Sequence, residues 1–72
     1  MINVRDYAVT INGETIVPIK RRTFMGLVLE YNDKYDKHVG IVYPMSKYEE
    51  DHADDTNIIS TIKSYVQYEF MQ

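Results

Sequence analysis

The chain contains no cysteine. Disulfide cross-links are therefore excluded, and so are thiol nucleophiles and thiolate metal ligands. The three glycines stand alone at 13, 26 and 40, so no Gly-rich loop is present to cradle a phosphate. Ser46, Ser60 and Ser64 lack the G-x-S-x-G context of an activated serine. Imidazoles are scarce as well. His38 and His52 are the only two, and neither has a second imidazole nearby with which to bind a transition metal. No apolar run approaches the ~18 residues of a membrane span. The start, Met1-Ile2-Asn3-Val4-Arg5-Asp6, lacks the charged beginning and apolar stretch of a signal peptide. These absences set the expectations: a cytoplasmic protein, not an enzyme, with no cofactor, no metal and no membrane partner.

The 72 residues are expected to form a single domain, 1–72. A domain this small buries only ~60% of the surface its unfolded chain exposes. Without disulfides, its stability has to come from dense packing, a metal or a partner subunit.

The net charge is −3 and is unevenly spread. Residues 1–37 carry six Lys/Arg and five Asp/Glu, whereas residues 38–72 carry two Lys against six Asp/Glu. A general basic surface that neutralises many phosphates is not expected from this balance.

Local signals are clearer. Tyr7-Ala8-Val9-Thr10-Ile11 and Glu14-Thr15-Ile16-Val17-Pro18-Ile19 flank Asn12-Gly13. Asn-Gly between β-branched runs is a strong hairpin signal, because a type I′ turn needs positive φ at both central residues. The two-residue loop pairs Ile11 with Glu14 and Val9 with Ile16. Tyr7, Val9, Ile11 and Ile16 then share one face, and Ala8, Val17 and Ile19 the other. Pro18 lacks an amide hydrogen, so the second strand lies at an edge or ends there. Lys20-Arg21-Arg22 reads as a connection. Phe24 to Tyr31 is nearly all apolar and reads as a central strand. A polar loop over 32–37 leads to a strand from His38 to Tyr43, stopped by Pro44. Ser46 and Glu49 fit a capping box, with a short helical turn through Ala53. A longer helix from Asp55 or Thr56 towards Met71 carries an apolar stripe of Ile58, Ile59, Ile62, Tyr65, Val66 and Phe70. The expected fold class is α+β: a small antiparallel four-stranded sheet of two hairpins packed on one C-terminal helix. One sheet face stays uncovered, and its apolar residues make it a candidate interface.

Two charged constellations remain. Glu49, Glu50, Asp51, Asp54 and Asp55 cluster around His52. Their ordinary role is a solvated helix entry whose acids complement the helix dipole. Their functional role is an acidic patch that occupies a partner's basic groove; the spacing and glycine of a calcium loop are missing. Lys20, Arg21 and Arg22, with Arg5, could grip a phosphate backbone, or could simply be solvated. Of the seven tyrosines, Tyr35 at a loop tip and Tyr68 on the outer helix side are expected to be exposed recognition residues. Tyr43 and Tyr65 are expected in the core.

The function expected from these features is a non-catalytic, small protein-binding module. Its concrete form is an inhibitor or regulator that covers the basic surface of a larger, nucleic-acid-binding partner. The alternatives are a nucleic-acid-binding accessory protein using Arg5, Lys20, Arg21 and Arg22, and a structural homo-oligomer subunit such as a homodimer.

Overall fold

The computed structural model describes residues 2–43 and 56–72. The capping box, the short turn through Ala53 and all five acids of the 49–55 patch lie outside the described residues.

The chain opens with a 3₁₀ turn, Val4–Tyr7, capped by Asn3, whose side-chain oxygen accepts from the Arg5 amide at 3.1 Å. Tyr7 therefore sits in this turn and not in a strand. β1 (Val9–Ile11) and β2 (Glu14–Ile16) form the first hairpin, with Val9 opposite Ile16 and Ile11 opposite Glu14, the expected register. Asn12 and Gly13 both take positive φ, 50° and 80°, as the type I′ turn demands.

The sheet departs from the expected single four-stranded one. Among the described residues, five strands form two antiparallel sheets, β1-β2 and a three-stranded sheet. Pro18 is the physical reason, since a residue with no amide hydrogen cannot extend β2. Beyond it the chain starts a new strand, β3 (Ile19–Thr23), which pairs with β4 (Gly26–Asn32). Lys20-Arg21-Arg22 is thus the middle of an edge strand, not a connection. Phe24 and Met25 are not strand residues either. They form a two-residue turn between Thr23 and Gly26, and Gly26 takes a φ of 134° that disfavours any side chain. The Thr23 hydroxyl closes this turn: it accepts from the Met25 amide at 3.2 Å and donates to the Gly26 carbonyl at 2.9 Å.

β4 pairs on its other side with β5 (His38–Tyr43), so the order is β3-β4-β5 with β4 central. The β4–β5 loop is organised by Asp33, whose Oδ1 accepts from the amides of Tyr35 (2.8 Å) and Lys37 (3.0 Å). Asp36 occupies the left-handed region at φ 63°, where Asp is among the tolerated residues.

α1 (Thr56–Phe70) packs on β1, the 3₁₀ turn and β5. Strand alternation points Leu27, Leu29 and Tyr31 of β4, with Val39 and Tyr43 of β5, to one side, and all five are buried. Tyr7, Val9, Ile16, Val66 and Phe70 close over them. The ring of Tyr7 meets that of Tyr43 edge to face at 6.4 Å. Within α1 only Val66 and Phe70 are fully buried; Ile58, Ile59 and Ile62 pack partly against the core. Tyr65, expected in the core, is 52% exposed. The covered layer is narrow enough to need only one line of the helix, and Tyr65 falls beside that line. Lys37 fastens the far end of α1, donating from Nζ to the carbonyls of Phe70 (2.9 Å) and Gln72 (2.7 Å).

Candidate interaction surface

The side of the three-stranded sheet away from the core is built by the same alternation. Residues directly opposed in neighbouring strands share a face. Arg21, Val28 and Val42 form one row across it, and Ile19, Glu30 and Gly40 the next. Ile19 is 67% exposed and Val42 48%, with Val17 exposed just before β3. Val28 is half-buried between them. This is the uncovered face, and its apolar members come from the sets containing Val17 and Ile19, and Val28 and Val42.

Glu30 stands at the centre of the face. Its Oε1 accepts from Arg21 Nε at 2.6 Å, and its Oε2 lies 3.2 Å from His38 Nε2. Both partners reach it diagonally, from β3 and from β5. Gly40, opposite Glu30, makes room for this: a Cβ there would lie 3.3 Å from His38 Cε1. The hydrogen bond and charge of Arg21 hold the Glu30 carboxyl below the usual carboxylate range against an opposing effect of desolvation, and His38 adds less in the same direction as Arg21. The surface therefore offers apolar side chains around a carboxylate whose charge is already answered, and whose desolvation under a partner is correspondingly less costly.

The basic triplet is divided by the strand. Arg21 faces outward and is committed to Glu30. Lys20 and Arg22 oppose Leu29 and Leu27 and so project to the core side of the sheet, at its open edge. Lys20 Nζ donates to the Ile2 carbonyl at 3.3 Å. Cations on an exposed edge strand also oppose edge-to-edge pairing of sheets, which is an ordinary structural use for all three. Arg5 is exposed in the 3₁₀ turn. The four cations are thus not brought onto one face.

Tyr35 and Tyr68 are both exposed. They occupy different parts of the fold, the β4–β5 loop and α1. The ammonium of Lys34 lies 5.1 Å from the Tyr35 ring centroid, within cation–π range. Tyr68 shares the outward helix side with the exposed residues Thr61, Ser64 and Met71.

A groove of about 560 Å³, open to solvent, runs between the chain start and β3, lined by Ile2, Asn3, Val4, Pro18, Ile19 and Lys20. Lys20 contributes the one ionisable side chain of its lining. Among the described residues no three His, Cys, Asp or Glu side chains gather as a metal site would require, and no helix is long and apolar enough to cross a membrane.

Two features escaped the sequence reading. The Arg21–Glu30–His38 group depends on a strand at 19–23, and the charged triplet hid that strand. The exposed turn at Phe24 and Met25 was masked by the apolar run that follows it; Gly26 was the available signal, since it marks where φ turns positive. No protein-family model matches the chain, and neither a curated protein nor a solved structure matches it.

Proposed function

We propose that this chain is a non-catalytic protein-binding module of the cytoplasm that docks a larger protein on the outer face of its three-stranded sheet. The observation that carries the reading is that Ile19 and Val42, in neighbouring rows of this face, are exposed, with half-buried Val28 beside Val42, and that every described element leaves them uncovered. Isolated exposed apolar residues are normal, but several on one uncovered sheet face, around a carboxylate already paired, support a recognition surface.

Size decides how the face is used. Three strands at ~4.8 Å spacing and ~3.3 Å rise per residue give a face on the order of 300 Å². A stable complex buries ~800 Å² on each partner. The sheet face is therefore the apolar centre of a larger contact. The acidic segment Glu49, Glu50, Asp51, Asp54 and Asp55 is the proposed polar extension. With it, the module would act as an inhibitor or regulator that covers a basic, nucleic-acid-binding surface.

Direct nucleic-acid contact through Arg5, Lys20, Arg21 and Arg22 is the competing reading. The division of the triplet between two faces, and the commitment of Arg21 to Glu30, count against it.

The test is an affinity capture from native host lysate, with and without nuclease, using wild type, Ile19→Glu and Val42→Glu as baits in parallel. A stoichiometric protein partner that survives nuclease and is lost with both variants supports the reading. A partner retained by both variants removes the sheet face from the contact. Partners lost on nuclease treatment favour nucleic acid, and a doubled mass without any partner favours a homo-oligomer. Charge reversal of the five acids, leaving capture intact, would remove the inhibitor version alone.

A further inference from the structure

The β3–β4 hairpin ends in the most exposed apolar pair among the described residues. Phe24 is 99% and Met25 65% exposed at the apex of the turn. We propose that this hairpin tip is a peripheral membrane anchor that inserts Phe24 and Met25 into the interface of an anionic lipid surface. The inference is independent of the sheet-face reading, because it concerns a different part of the fold and a different partner.

Three observations carry it. First, the turn is prepared to leave water. The Thr23 hydroxyl takes the Met25 amide and gives its own proton to the Gly26 carbonyl. These two backbone groups, satisfied by Thr23, lower the cost of moving the turn into an apolar phase, where unsatisfied amides and carbonyls are expensive.

Second, the cations stand at the right depth. Interfacial elements bury their apolar part ~5–10 Å into the headgroup and acyl boundary. At ~3.3 Å per strand residue, Arg22 lies about 7 Å behind Phe24 along the hairpin, and Lys20 about 13 Å behind. With the tip inserted, Arg22 is at phosphate level and Lys20 just outside it. Both project to the same side of β3, and among the described residues neither answers a carboxylate; Lys20 donates to the Ile2 carbonyl. Juxtamembrane cations are attracted to anionic headgroups in this position.

Third, among the described residues the charge nearest the tip has the required sign. The described charges along the hairpin arm are Lys20, Arg21, Arg22 and Glu30, and Glu30 is bound by Arg21. Asp33 and Asp36 lie in the loop at the opposite end of β4, more than the ~10 Å screening length away from the tip. The expectation of no membrane partner came from the lack of a spanning segment, and a peripheral tip needs none.

The chain has no tryptophan, so Phe24→Trp supplies a single fluorescent reporter at the apex. The probe is vesicles of phosphatidylcholine, alone or with about 30 mol% phosphatidylserine, some carrying brominated acyl chains. The expected result is a blue shift and bromine quenching with the anionic vesicles, both weakened by salt. Wild type should co-sediment with the same vesicles, and Phe24→Ser/Met25→Ser should lose roughly tenfold or more in affinity. Lys20→Glu/Arg22→Glu should lose a similar factor on the anionic vesicles only. Dispersed amide spectra of each variant establish that it is folded. The proposal is overturned if neither vesicle shifts the reporter nor sediments wild type, or if the Ser/Ser variant binds as wild type does. Equal binding to neutral vesicles overturns the role given to the cations. Burial of the reporter in a protein partner, with vesicles inert, would assign the tip to protein recognition instead.

Discussion

The Tyr31 hydroxyl donates to the Tyr7 carbonyl at 2.8 Å, both side chains being fully buried. The bond ties the opening 3₁₀ turn to the central strand across 24 residues of sequence. It fixes how the chain start lies against the sheet. Burial pushes the Tyr31 phenol up from its ordinary value, and the nearby Tyr7 adds to that. A raised acid contributes stability that is fully present below its unfolded value, near ~10, and is lost as pH climbs towards the folded one. Tyr31→Phe should therefore cost about 1–2 kcal/mol at neutral pH. Above pH ~10 the gap to wild type should narrow, because only wild type must keep Tyr31 protonated to stay folded. Urea unfolding across the alkaline range measures both effects. A constant gap would mean that Tyr31 ionises as freely folded as unfolded.

Glu30 gives the opposite pH dependence. Arg21 and His38 hold its carboxyl below the ordinary range. A depressed acid contributes stability above its unfolded pKa, ~4.3, and loses it as pH falls through the folded value. Wild type should lose stability on acidification below that point, and Glu30→Gln should lose less. The difference should be small and should shrink with added salt, because the Arg21 side chain is 60% exposed. Melting temperature against pH for the two proteins decides it. Parallel curves would show that the diagonal contacts contribute nothing in solution.

Lys37 closes the end of α1 from outside the helix. A terminal turn leaves carbonyls without intrahelical donors, and a cation there also complements the helix dipole. Lys37→Met keeps the stem and removes the donor. It should cost about 0.5–1.5 kcal/mol and speed amide exchange in the last turn of α1. Lys34→Met, whose amine lies over Tyr35, is the matched control and should leave the helix end unchanged. Equal exchange in both variants would show that the helix end holds without Lys37.

The parts of the fold that were legible in the sequence are those governed by neighbours in the chain. Asn12-Gly13 specifies its own turn, and that turn specifies the Val9–Ile16 register. The spacing of Val66 and Phe70 places the helix and its buried line. The edge strand 19–23 was not legible, because its propensity is poor and its pairing with β4 supplies the stability. Tyr65 was misplaced because helical period identifies a stripe but not how wide a layer covers it. On the candidate surface, the apolar residues could be named as sets from alternation. Which set faces solvent depends on the helix, and the Glu30 group depends on diagonal contacts between strands whose pairing has to be known first.

The outer face and the core should separate cleanly under mutation. Leu29 is fully buried on the inner side of β4, while Ile19 is mostly exposed on the outer side of β3. Leu29→Ala leaves a cavity and should cost about 2–5 kcal/mol. A domain of this length holds roughly 4–11 kcal/mol in all, at the usual 0.05–0.15 per residue. That one truncation should therefore leave a substantial unfolded fraction under mild heating. Ile19→Ser removes a side chain that is mostly in water and should change stability by about 0.5 kcal/mol or less. Urea midpoints of the two variants test the contrast. If Ile19→Ser destabilises as Leu29→Ala does, Ile19 is a packing residue and the outer face is not free. If it leaves the midpoint in place, loss of a partner by outer-face variants can be attributed to contact and not to unfolding.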